Sequence, residues 1–164
     1  MGSHAETHAL AHPCEALFDL VADIERYPEF MPGYVSARIR SRQGMKLVVD
    51  QRLGLAGFQR GFTSVATLER PHRITIRSSQ APFRHLDIDW LFRHRDRGCE
   101  VSIRISYEFS IPLLGTFARS WLEQMPSRIL RAFEARAKQR RISAPPRVGE
   151  SRFDAGRDDN EPLP

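Results

Sequence analysis

The spacing of hydrophobic residues changes period three times along the chain. After Pro13, Ala16, Leu17, Leu20, Val21 and Ile24 recur at helical spacing on one face, and Pro13 suits a helix start. Glu6 to His12 reads as a short first strand ahead of it. Pro28 and Pro32 bracket a turn-like stretch from Glu25 to Gly33 that one regular helix cannot span. From Tyr34 the period becomes two, with Val35, Ala37 and Ile39 alternating with polar residues up to a turn at Gln43-Gly44. Leu47 to Leu55 and Phe58 to Leu68 follow as strands around a hairpin connection at Gly54-Leu-Ala-Gly57, and Ile74 and Ile76 mark the next strand. The clearest alternation comes last. Leu86, Ile88, Trp90 and Phe92 share one face against Asp87, Asp89 and Arg93; Val101, Ile103, Ile105 and Tyr107 repeat it after a turn at Asp96-Arg-Gly98. Such alternation predicts an antiparallel sheet with one face buried.

The period then returns to helical. Leu114, Phe117, Ala118, Trp121, Leu122, Met125, Ile129, Ala132 and Phe133 form one apolar stripe over roughly residues 111 to 141. Pro126 interrupts it and predicts a kink about one turn earlier. The fold class is α+β: a first strand, two short helices, a run of strands, and a long helix that must bury its stripe on the concave face of a curved antiparallel sheet. Residues 1–142 form this domain; residues 143–164 are Pro-, Gly- and charge-rich and predict a disordered acidic tail.

Charge refines this picture. The net charge is +5, but the tail carries about −2, so the domain carries about +7. A basic body suits acidic partners such as phospholipid headgroups or RNA, although solubility alone accounts for such a charge. No apolar run reaches the length of a membrane span, and the N-terminus has neither a basic nor an apolar signal region, so a soluble intracellular protein is expected. Cys14 and Cys99 match no metal or redox spacing, and two buried or half-buried thiols are expected in place of a disulfide.

Candidate chemistry is sparse. His4, His8 and His12 recur every four residues, but on a strand next to Pro13 they read as terminal solvated histidines and not as metal ligands. Asp87 and Asp89 lie on the polar face of a strand and should meet arginines on its neighbours. His85 and His94 flank the same strand with no indicated partner carboxylate or nucleophile. No nucleophile-elbow, phosphate-loop or dinucleotide motif is present, so no catalytic residue, metal or cofactor is expected. The inward strand positions carry mainly Gln51, Ser64, Ser78 and Tyr107, which is little for catalysis.

Aromatic residues are more informative. Phe58, Phe62, Trp90, Phe92, Phe117 and Trp121, with Met125, are placed to line a cavity between sheet and helix, or else to fill the core. Phe30, Tyr34 and Phe83 fall in predicted loops and are candidates for its rim or for a membrane-touching edge. The C-terminal helix adds Arg128, Arg131, Arg136, Lys138, Arg140 and Arg141, a surface for anionic lipid or RNA.

Several segments, in order, resemble the ubiquinone-binding START-domain family: Leu20-Val-Ala-Asp-Ile-Glu-Arg-Tyr-Pro-Glu-Phe-Met-Pro, Ala81-Pro-Phe-Arg-His-Leu, Trp90-Leu-Phe, Tyr107-Glu-Phe, Pro112-Leu-Leu-Gly and Ala132-Phe-Glu-Ala-Arg-Ala. The match covers roughly residues 5 to 140. Bacterial members are often labelled ribosome-association toxins, and the wider superfamily includes polyketide cyclases. The resemblance implies a helix-grip fold and a non-catalytic carrier or chaperone that binds ubiquinone or a related isoprenoid lipid in support of respiration. Peripheral contact with the inner face of the inner membrane, and no DNA partner, are the expectations set beside it. Ribosome association through the basic helix, and polyketide cyclase or aromatase chemistry, are the alternatives.

Overall fold

Seven strands pair into one antiparallel sheet of order β1-β7-β6-β5-β4-β3-β2. They are β1 (Gly2–Leu10), β2 (Tyr34–Gln43), β3 (Lys46–Leu55), β4 (Phe58–Glu69), β5 (Arg73–Ser78), β6 (Phe83–Arg95) and β7 (Gly98–Phe109). The computed structural model describes residues 1–55, 58–110 and 123–139. Consecutive strands from β2 to β7 are neighbours, as hairpin-linked antiparallel strands are expected to be. The chain's first strand closes the order by pairing with its last, from Gly2 opposite Tyr107 to Leu10 opposite Cys99.

Two short helices cross between β1 and β2: α1 (Cys14–Ala22) and a 3-10 helix (Ile24–Glu29) that accommodates Pro28. The Pro13 carbonyl accepts the first helical hydrogen bond from the Leu17 N–H, so the proline precedes the helix without costing it a donor. The C-terminal helix α2 is described over Met125–Gln139, with Pro126 in its first turn and a turn at Gln124 before it. Pro126 therefore falls in the first turn of α2, while most of the 111–141 stripe, with the kink expected within it, and the 143–164 tail lie outside the described residues. No described helix is long and apolar enough to cross a membrane.

One face of the sheet carries the core. Leu47 and Val49 on β3, Ala66 on β4, Ile74 and Ile76 on β5, Trp90 and Phe92 on β6, and Val101, Ile103 and Ile105 on β7 are all buried. Onto them fold Leu17, Phe18, Leu20 and Val21 of α1 and Met125, Ile129, Leu130 and Phe133 of α2. Phe133 anchors α2, with its ring edge-on to Trp90 at 5.1 Å between centroids.

Two expectations fail here. Cys14 and Cys99 are both buried, but they are joined as a disulfide with 5.1 Å between Cα atoms. The start of α1 and the start of β7 meet at one end of the sheet, and a sequence separation of 85 hides that proximity. Gly98 permits the approach: its φ is +115°, and a Cβ there would come within 2.1 Å of the Leu10 carbonyl oxygen. Val35, expected to face inward with Ala37 and Ile39, is 43% exposed, because the register shifts between Tyr34 and Ser36. A bulge turns one side chain out of the alternation.

Candidate functional site

The inner face of the sheet, between β3 and β7, is an apolar wall with one buried polar pair. Gln51 on β3 and Ser64 on β4 are 5% and 1% exposed, and the Gln51 amide donates to Ser64 Oγ at 2.5 Å. Both were expected to face inward, and so was Tyr107, which is buried. Ser78 is half-buried, and its hydroxyl donates to the Thr63 carbonyl. Aside from tyrosine hydroxyls and the Trp90 indole N–H, Gln51 and Ser64 are the buried polar or charged side chains among the described residues.

The expected aromatic set divides into two clusters. Around Phe133 gather Trp90, Phe30 and Tyr27, with Tyr34 edge-on to Tyr27 at 5.3 Å. Phe62 packs edge-on against Phe83 at 5.2 Å, and Phe83 stacks on Phe109 at 5.3 Å. Phe83 is thus no rim residue. It opens β6 and is 3% exposed, because β6 begins earlier than the Ala81-Pro82 turn suggests. Phe30 and Tyr34 are half-buried at the junction of the 3-10 helix with β2. Met125 is buried with the core. Phe58 belongs to β4, but its side chain lies outside the described residues, as do Phe117 and Trp121.

Tyr27 is the residue that sequence reasoning passed over. It sits fully inside the first cluster, its hydroxyl donates to the Val21 carbonyl, and burial raises its pKa well above the ordinary phenol value. Burial raises Tyr34 in the same direction. Neither phenol is available as a base near neutral pH. The signal was its position between Arg26 and Pro28: an aromatic in a segment too tight to be a surface loop.

A second polar group lies where α2 crosses β1. Even-numbered residues of β1 face inward, so Glu6 accepts a hydrogen bond from Ser127 of α2 at 3.0 Å and lies 3.2 Å from His8 Nε2. His8 Nδ1 is 4.0 Å from Glu134 of α2. The Ser127 hydroxyl and then His8 hold the Glu6 carboxyl below its usual range. His4 stacks near Tyr107 at 6.1 Å. His4 and His8, expected to be solvated at a free terminus, are therefore half-buried partners in this seam.

On the outer face, Asp87 and Asp89 meet arginines of β5 as expected. Arg77 contacts both carboxylates at 3.0 Å, and Arg73 reaches Asp89 at 3.1 Å. Burial pushes the Asp89 carboxyl up, but the hydrogen bonds from Arg77 and Arg73 outweigh it and leave it lowered. His85 and His94 do have carboxylate neighbours, Asp87 at 3.1 Å and Glu15 at 3.5 Å. The His85–Asp87 pair is half-buried on the outer face, whereas His94 lies opposite buried Cys99 and joins the end of β6 to α1 through Glu15. A groove of about 370 Å³ on this face is lined by Thr63, Arg77, Gln80, His85 and Asp87, and its guanidinium is already committed to the two aspartates.

The basic helix is partly neutralised. Arg136 lies over the Phe30 ring, 5.3 Å from its centroid, and pairs with Glu29. Lys138 pairs with Glu134 at 2.9 Å. Arg128 and Arg131 are exposed; Arg140 and Arg141 lie outside the described residues.

Known proteins match this geometry. The family model described as polyketide cyclase / dehydrase and lipid transport matches residues 10–134. A ribosome association toxin, RatA, of Vibrio cholerae is 30% identical over 76% of this chain and 88% of its own length. A crystal structure of a Thermus thermophilus protein superposes with a TM-score of 0.74 at 18% identity, over 85% of this chain and 99% of that one. The Zhui aromatase/cyclase of a Streptomyces superposes with a TM-score of 0.68 at 21% identity, over 87% of this chain and 96% of that one. At such identities the superpositions establish the fold alone: the helix-grip, START-like arrangement of a curved antiparallel sheet around a C-terminal helix.

Proposed function

Because the chain belongs to the polyketide cyclase / dehydrase and lipid transport family, we propose that it holds a hydrophobic, lipid-like small molecule between the inner face of its sheet and its C-terminal helix, as a carrier and not as a catalyst. The observation that carries this reading is the inner wall itself: apolar and aromatic side chains from β3 to β7, broken by the single Gln51–Ser64 pair. A ligand with a long apolar body and one or two carbonyl or hydroxyl groups suits such a wall. Ubiquinone or a related isoprenoid quinone is the ligand we favour, since the Gln51 amide offers a donor to a ring carbonyl. Burying one isoprene unit contributes roughly 3 to 4 kcal/mol at ~0.8 per CH₂. A headgroup with one or two units then reaches the micromolar range, about −8 kcal/mol, after association costs.

The carrier reading is supported by the absence of a buried Asp, Glu, His, Lys or Arg among the described residues of that wall, since acid–base chemistry on an enclosed ligand needs one. Delivering such a ligand to respiratory enzymes would require transient contact with a bilayer, and we place the protein at the inner face of the inner membrane when it exchanges cargo. Titration with a short-tailed ubiquinone, followed by quenching of tryptophan fluorescence, tests this. Saturable micromolar binding supports the reading, and no saturable quenching rejects it.

A second reading, ribosome association, is favoured by the name of the Vibrio cholerae relative. Salt-sensitive co-sedimentation with large ribosomal subunits would support it, and its absence at low salt would dismiss it.

A further inference from the structure

Three elements converge on one corner of the fold. Cys14 is the first residue of α1 and Cys99 the second of β7, and both are buried by the disulfide that joins them. β1 ends at the same corner with Leu10 opposite Cys99, so only residues 11–13 separate the paired strand from the helix. Backbone pairing from Gly2 to Leu10 holds β1 to β7 independently of the sulfurs. What the bond alone fixes is where α1 begins.

The other ties of α1 are of two kinds. Its polar face makes exposed ion pairs: Glu15 lies 3.5 Å from His94, the residue opposite Cys99 on β6, and Arg70 donates to both Asp19 carboxylate oxygens at 2.8 and 2.9 Å. Exposed pairs of this kind hold a helix only weakly. Its apolar face gives Leu17, Phe18, Leu20 and Val21 to the core, with Phe18 edge-on to Phe92 at 5.5 Å. Phe92 stacks on Trp90, and Trp90 meets Phe133 of α2. α1 is therefore a wall of the same apolar interior that the C-terminal helix covers.

We propose that the Cys14–Cys99 bond is a redox latch on the cargo space: the oxidised chain holds α1 against the sheet and retains its ligand, and the dithiol chain lets α1 lift and exchanges it. The inference rests on the carrier reading and adds its regulation. A bond kept only for overall stability would join elements that nothing else brings together. Here Leu10 already brings them together, and the freedom that the bond removes is that of α1. The corner also suits cleavage. Ala11, Asp96 and Arg97 beside it are exposed, so the bond lies at the edge of the core and not at its centre. No side chain caps the start of α1, so the N–H groups of its first turn favour a thiolate at Cys14. A dithiol reductant attacks Cys99 Sγ and expels Cys14 as the thiolate. The reductant's second sulfur then cleaves the mixed disulfide, so the reductant ends as a disulfide and two electrons and two protons end on Cys14 and Cys99. In reducing compartments such bonds are transient and redox-sensing. At the membrane face where we place cargo exchange, the open form is thus the resting one and oxidation closes it.

The test uses the full chain and two readouts. Amide hydrogen exchange is followed by mass spectrometry on the oxidised chain, on the chain reduced with dithiothreitol, and on the chain reoxidised with glutathione disulfide. On reduction, the amides of residues 17–22 should exchange about tenfold faster, become less protected than those of β6 and β7, and recover on reoxidation. Dissociation of a short-tailed ubiquinone is then measured by stopped-flow tryptophan fluorescence for the oxidised parent and for Cys14→Ala/Cys99→Ala, which keeps free thiols away from the quinone. It should be about fivefold faster from the variant, since affinity changes of this kind fall on the off-rate. Protection lost evenly across α1 and the sheet, or not lost at all, would overturn the latch, as would equal dissociation from two proteins that both bind. Binding by neither protein rejects the carrier reading instead, and the exchange data then decide by themselves whether the bond holds α1.

Discussion

The side-chain amide of Gln51 donates to Ser64 Oγ at 2.5 Å across two neighbouring strands, inside a wall where the surrounding side chains are apolar. A buried polar pair in such a place is costly when either member is lost, because the other is left without a partner. Ser64→Ala should destabilise the fold by about 1–3 kcal/mol. The double variant Gln51→Leu/Ser64→Ala should recover part of that loss while weakening binding of a carbonyl-bearing ligand. Chemical denaturation with ligand titration measures both.

The Cys14–Cys99 link closes a loop across 85 residues and ties α1 to the sheet. Reduction, or the double change to serine, should lower stability by about 2–5 kcal/mol. Urea denaturation with and without reductant reads this directly. Equal midpoints would mean that the thiols are not joined in the folded protein.

Phe133 is the ring on which Trp90, Tyr27 and Phe30 converge. Phe133→Ala should cost about 3–5 kcal/mol, whereas Phe133→Leu should cost less because volume is largely kept. Thermal melts of the two variants separate packing from any role in ligand contact.

Glu6 should make stability fall in acid. Its carboxyl is held below the usual value in the folded chain by Ser127 and His8, so the folded state favours the ionised form. That contribution is fully present above the unfolded value, near pH 4.5, and is lost as pH falls through the lower folded value. Glu6→Gln should flatten the stability profile below pH 5, and Ser127→Ala should flatten it partly. Denaturation midpoints from pH 7 to 3 test this; identical profiles would show that the seam between β1 and α2 contributes nothing through that carboxylate.

How much of this was legible in the sequence depended on whether the signal was local. The alternation in β6 and β7 predicts Trp90, Phe92, Val101 and Ile103 inside and Asp87 and Asp89 outside, and the sheet obeys, because with one face buried a strand has one workable register. Non-local features escaped. The disulfide depends on two chain ends of elements meeting, and no spacing rule encodes that. Val35 fell to a bulge, and Phe83 to a strand that starts one residue after a proline. The Glu6–Ser127 contact joins residues 121 positions apart. Of the candidate ligand residues, Phe30, Tyr34, Phe62, Trp90 and Met125 lie in the core or at its margin, which is where packing alone would also put them. Only ligand binding distinguishes the two roles.

The measurement that bears most directly on the carrier reading is native mass spectrometry, with organic extraction, of protein purified from a quinone-producing host. A carrier should emerge with a co-purifying quinone or isoprenoid at close to one molecule per chain, displaced when the inner wall is altered at Gln51 and Ser64. A protein that emerges empty, and takes up no quinone when one is supplied, would contradict that reading.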